Sequence, residues 1–99
     1  MLSELQKDII INTMLPFNPV RIGIFGSVAR GEDTENSDID ILYLFNANAM
    51  VSLLDLSGIK IDLEEKLNKK VDLVSEEFVN NKLKPHIMDE LKIIYSNEK

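Results

Sequence analysis

The chain contains no cysteine and no tryptophan, and its one histidine, His86, lies far in sequence from the acids discussed below. Without thiols there is no disulfide framework and no thiolate metal site, which fits a cytoplasmic protein. His86 reads as a surface or capping residue. Basic residues are also scarce: 11 Lys and Arg stand against 17 Asp and Glu, for a net charge of −6. Polymer nucleic acids are held by neutralising phosphates with Lys and Arg, so this balance argues against a polymer nucleic-acid partner. The one short basic pair is Lys69-Lys70. No apolar run approaches the ~20 residues of a membrane span. Met1-Leu2-Ser3-Glu4 lacks the basic start and apolar core of a signal peptide. Ninety-nine residues suffice for one small domain, 1–99, burying roughly 60–65% of its unfolded surface.

What is present centres on Gly26-Ser27-Val28-Ala29-Arg30-Gly31 and, after a polar loop, Ser37-Asp38-Ile39-Asp40. Val20 to Phe25 lead in and Ile41 to Phe45 lead out; both runs are short, rich in β-branched or aromatic residues and bounded by turn residues, as buried strands are. The Gly-Ser pair therefore ends one strand and the Asp-x-Asp begins the next. Strand alternation puts Asp38 and Asp40 on one face, with Cα atoms roughly 6.5 Å apart, and Ile39 and Ile41 on the other. Gly26 lets backbone approach a phosphate without a Cβ in the way. Ser27 to Arg30 read as one helical turn whose first amides face an anion. The pattern is neither a Walker A loop nor a dinucleotide fingerprint.

A third acid follows in Lys69-Lys70-Val71-Asp72-Leu73-Val74, a short strand with Asp72 alternating away from Val71 and Leu73. Beside the first two, it would bring three carboxylates together below the Gly-Ser turn. Such acids resist ionising together. A pair of magnesium ions relieves that repulsion, and metal pairs about 3.5–4 Å apart serve in-line phosphoryl and nucleotidyl displacements.

These residues resemble the minimal nucleotidyltransferases of the DNA polymerase β superfamily, and in particular the MntA-type antitoxins paired with HEPN-domain ribonuclease toxins. The resemblance runs from about Val20 to Val74, and Leu83-Lys84-Pro85 is similar to the start of that family's last helix. It implies an α/β (α+β) fold, a small mixed sheet with helices packed on it. It also implies a magnesium-dependent enzyme with two ions, and ATP as the nucleoside triphosphate. Gly26 and Ser27 would hold the β- and γ-phosphates, Asp38 and Asp40 both metals, and Asp72 the catalytic one, with Asp72 also the candidate base. The acceptor it implies is a tyrosine of a partner HEPN toxin, silenced by AMPylation. Two rival readings remain: transfer to a small-molecule hydroxyl, as in aminoglycoside-modifying relatives, and neutralisation of a partner by occlusion without turnover. The chain ends at Lys99 with no second domain to form an acceptor pocket, so the acceptor is expected to come from elsewhere.

Around this centre the pattern predicts helices and turns. Ser3 to Gln6 form a capping box before a stripe of Leu5, Ile9, Ile10 and Met14, stopped by Pro16 and Pro19. Glu32 to Asn36 form a polar loop over the mouth of the site. A second helix is expected from about Ala49 through Leu53, Leu56, Ile59 or Lys60, Leu63 and Leu67, with a kink or break allowed at Ser57-Gly58. It supplies the crossover that lets the Asp72 strand join the sheet. Ser75-Glu76-Glu77 can open a helical turn, and Pro85 suits the first turn of a last helix with Ile87, Leu91 and Ile94 inward. Ile93-Ile94-Tyr95 has a rival reading as a terminal strand. Tyr43 and Phe45 pack in or beside the sheet. Arg30 has two open readings, an ion pair with the Glu32–Glu35 loop or a phosphate contact. Ser37 likewise either caps and orients that loop or touches phosphate.

Overall fold

The structure, a computed structural model, describes residues 2–97. Its first helix, α1 (Glu4–Met14), begins where the sequence places it. Ser3 Oγ accepts a 3.1 Å hydrogen bond from the Gln6 amide, and Gln6 Oε1 accepts one of 2.9 Å from the Ser3 amide. Ile10 and Met14 are fully buried, whereas Leu5 of the expected stripe stays in solvent. A 3₁₀ turn at Leu15–Phe17 and the left-handed Asn18 turn the chain into β1 (Pro19–Phe25).

The sheet is mixed and four-stranded, in the order β3-β2-β1-β4. Strand β1 runs antiparallel to both β2 (Ile39–Phe45) and β4 (Lys92–Ser96), while β3 (Val71–Ser75) is parallel to β2. Parallel neighbours require a crossover, and α3 (Leu53–Leu67) provides it. Ile22, Ile24, Ile39, Ile41 and Val71 on one face of the sheet meet Ile10 and Met14 of α1 and Ile59, Leu63 and Leu67 of α3. The tilted Tyr43 and Phe45 rings, 5.0 Å apart, pack against this core. The site acids are thereby left to the opposite face. No helix among the described residues is long and apolar enough to cross a membrane.

Three expectations need correction. The second helix starts at Leu53, not near Ala49, because Ser52 and Asp55 form a reciprocal capping box (3.0 and 3.1 Å). That start leaves Leu53, counted as core by its spacing, 83% exposed. The helix passes through Gly58 unbroken, with no kink. The last helix, α4 (Lys84–Glu90), carries Pro85 in its first turn but stops at Glu90. Ile93, Ile94 and Tyr95 lie in β4, where their backbone closes the second edge of β1; the strand reading of this segment is the right one. Residues 76–79 form the single helical turn expected after β3, with the Val79 amide donating to the Ser75 carbonyl at 3.0 Å.

A Cβ placed on Gly58 meets no atom within 4 Å, and its backbone is helical. Gly58→Ala is therefore expected to stabilise the fold by about 0.5–1 kcal/mol, chiefly by reducing backbone freedom in the unfolded chain. The melting temperature should rise by a few degrees, at about 4–8 °C per kcal/mol for a domain of this size. A melting temperature that falls would contradict the unstrained helix.

Candidate functional site

The site is built where β1 hands over to α2 (Gly26–Arg30). Phe25 is extended, Gly26 turns left-handed at φ 77°, and Gly31 closes the short helix at φ 73°. Opposite this corner, Phe25 pairs with Asp40 in the antiparallel ladder. The approach is so close that a Cβ on Gly26 would overlap the Asp40 carboxylate. Gly26 is thus required twice, by its φ and by its neighbour.

Asp40 in turn lies directly opposite Asp72 in the parallel ladder, about 4.8 Å away at the backbone. Asp38 precedes β2 by one residue, and the Ile39 amide donates to the Lys70 carbonyl at 2.9 Å, so the paired geometry reaches it. The acids differ in setting: Asp40 is half-buried, whereas Asp38 and Asp72 are exposed. Burial raises the Asp40 carboxyl above its ordinary pKa. The charges of Asp72, Asp38 and Glu90 push in the same direction, and Arg30 partly opposes them. The three acids singled out in the sequence therefore act on one point.

Among the described residues, no three acidic side chains form a ready-made cation cage. The donor chemistry nevertheless fits a hard divalent ion: three carboxylates supply oxygen ligands, and the central one carries the repulsion a cation would relieve. Asp38 and Asp72, being exposed, have room to reorient toward it.

The remaining candidates resolve as follows. Ser27 is half-buried in the first turn of α2. Ser37 Oγ accepts from the Thr34 amide at 2.8 Å, so it orients the polar loop. Arg30 donates to Glu32 at 2.8 Å, the expected loop pairing, and also to Glu90 at 2.7 Å. His86 is exposed on α4. Sequence reasoning missed Glu90 entirely. It is the last residue of α4, and its carboxylate accepts from the Gly26 amide at 3.1 Å, across 64 positions. No local pattern signals such a contact; only the fold brings α4 to this corner.

A glycine corner against an Asp-x-Asp strand, with a third aspartate on the adjoining parallel strand, defines a nucleotidyltransferase framework. The chain belongs to the polymerase beta nucleotidyltransferase family, whose model matches residues 7–99. It is 42% identical over 89 residues to a provisionally named protein adenylyltransferase of Methanocaldococcus jannaschii, covering 90% of this chain and 92% of that one. It is 36% identical over 75 residues to the protein adenylyltransferase MntA of Thermococcus cleftensis, covering 76% and 74%. Its fold is shared with a chain in the structure of a tri-AMPylated Shewanella oneidensis HEPN toxin in complex with MNT antitoxin. There the TM-score is 0.75 at 21% identity, over 97% of this chain and 74% of that one.

Proposed function

We propose that residues 1–99 act as one minimal nucleotidyltransferase domain, working in the cytoplasm, that moves AMP from ATP onto a tyrosine of a partner HEPN toxin and so serves as its antitoxin. The observation that carries this reading is the contact of the Gly26 corner with Asp40, itself paired with Asp72. The corner proposed to seat the phosphates thus touches one of the acids proposed to act on them. The acceptor class follows the relatives named protein adenylyltransferases, and the partner follows the HEPN complex of the same fold.

Gly26 and Ser27 bind the β- and γ-phosphates by backbone amides and a hydroxyl, with Arg30 as a further phosphate contact and Ser37 holding the polar loop in place through Thr34. Asp38, Asp40 and Asp72 would hold magnesium, two ions in the full arrangement. Bound magnesium supplies Lewis-acid neutralisation of the phosphate charge. Asp72 accepts the proton of the incoming tyrosine hydroxyl in this scheme, a role its exposure on the sheet's edge strand supports. The tyrosine oxygen bonds to the α-phosphorus, the bond from that phosphorus to the bridging oxygen breaks, and pyrophosphate leaves.

Incubation with ATP, magnesium and a cognate HEPN protein should add one or more AMP groups to the partner, visible by intact-mass spectrometry. Asp72→Asn should fail to protect against the toxin at equal expression even where the complex still forms. An unmodified partner that the Asp72 variant inhibits fully would establish occlusion and sink the catalytic reading.

A further inference from the structure

Both oxygens of Glu90 are engaged at the phosphate corner. Oε2 accepts from the Gly26 amide at 3.1 Å, and Oε1 accepts from Arg30 Nη1 at 2.7 Å. A backbone amide and a guanidinium are both donors that a phosphoryl oxygen takes readily. Glu90 is moreover close enough for its charge to bear on Asp40, so it stands in an already acidic neighbourhood. An acid placed there repels the other acids, and the amide and Arg30 offset this. Nucleotidyl transfer by Asp38, Asp40 and Asp72 leaves Glu90 without a task.

We propose that Glu90 is an internal stand-in for phosphate: it occupies the Gly26 amide and Arg30 in the nucleotide-free protein, and the triphosphate must displace it to bind. The proposal rests on reading the Gly26 corner as the phosphate seat. It makes Glu90 an affinity-setting residue, which weakens nucleotide binding until a full triphosphate outcompetes it. It also explains how Arg30 serves two partners in turn. Its guanidinium is held by Glu90 and Glu32 at rest and becomes available to a phosphate when Glu90 leaves.

The test is calorimetric titration of wild type, Glu90→Gln and Glu90→Ala with two probes, Mg-ATP and inorganic tripolyphosphate. Glutamine keeps an acceptor for the Gly26 amide but loses the charge that holds Arg30, so an effect there cannot be blamed on a misfolded corner. The expected order of affinity is wild type weakest, Gln tighter and Ala tightest. The Ala variant should gain at least about tenfold for both probes, the scale of one charge-assisted hydrogen bond no longer competing. The Gly26 amide resonance should also move in Glu90→Ala without ligand, and tripolyphosphate should shift it in the wild type. If wild type binds ATP but both variants bind equally or more weakly, Glu90 is a positioning residue and this proposal is overturned while the enzyme reading stands. If no form binds either probe, the phosphate-seat reading falls too.

Discussion

Asp40→Asn will abolish nucleotidyl transfer and leave the domain folded. Asp40 is central among the acids, opposite Asp72 in one ladder and pressed against the Gly26 corner in the other direction. Asparagine keeps its shape and removes the charge. Loss of one group that stabilises developing charge costs on the order of 10²–10³ in rate. As the proposed shared ligand of two ions, Asp40 should matter at least that much, and transfer from α-labelled ATP should drop to background. Stability moves the other way. The folded-state pKa of Asp40 is raised, by burial first and then by its acidic neighbours. In metal-free buffer its ionisation therefore opposes folding, and that penalty sets in as pH climbs from the unfolded-state value through the raised folded value. The variant should melt at or above the wild-type temperature in EDTA near neutral pH, yet gain nothing from Mg-ATP. A variant that still transfers label at a near-normal rate would remove Asp40 from the metal site.

Replacing Glu76 should have the largest effect on stability. Glu76 is 8% exposed, and its carboxylate receives Arg21 Nε at 2.8 Å and Nη2 on the second oxygen, a fork that joins β1 to the turn after β3. Arg21 is itself only a quarter exposed. Glu76→Ala removes a doubly bonded carboxylate from a part-buried guanidinium and should cost about 2–3 kcal/mol, toward the lower end for a buried pair because Arg21 still touches solvent. The melting temperature at pH 7 should fall by about 10–20 °C. The dependence on pH follows from the sign of the shift. Arg21's hydrogen bond, outweighing burial, holds the Glu76 carboxyl below its ordinary value. The pair therefore stabilises fully above the unfolded-state pKa, and its contribution fades as pH falls through the lower, folded-state value. Wild-type and variant melting curves should converge in acid and separate at neutral pH. Equal melting temperatures at pH 7 would show the fork to be energetically idle.

The two groups in these experiments differ in how far the sequence announces them. Asp40 and Asp72 stand out because each interrupts an apolar strand, and Asp38 because it lies two residues before Asp40; a two-residue period assigns faces without knowledge of the partner strand. The Gly26 corner stands out because glycine after a strand permits a left-handed turn that other residues rarely adopt. Ser3 and Gln6 declare the first helix by spacing alone. Glu76 and Glu90 declare nothing, since each is one acid among seventeen, and each finds its partner across more than fifty positions. The start of α3 was hidden for a different reason. The apolar residues 49–54 continue the helical period, and only the Ser52–Asp55 box interrupts it. Leu91 to Tyr95 satisfied helix and strand patterns alike; the free edge of β1, a tertiary fact, decided between them.

The order of strands has a consequence for synthesis. Strand β1 lies inside the sheet, yet β4, which closes one of its sides, emerges from the ribosome roughly seventy residues later. At about 5–20 residues per second, the interval is roughly 4–14 s. Throughout it, a hydrophobic strand containing Val20, Ile22 and Ile24 presents unpaired backbone along one side, the arrangement that invites pairing with another nascent chain. Until β4 arrives, the half-made protein is therefore a client for chaperones, and a transcript cut short before Lys92 would leave its product in that condition permanently.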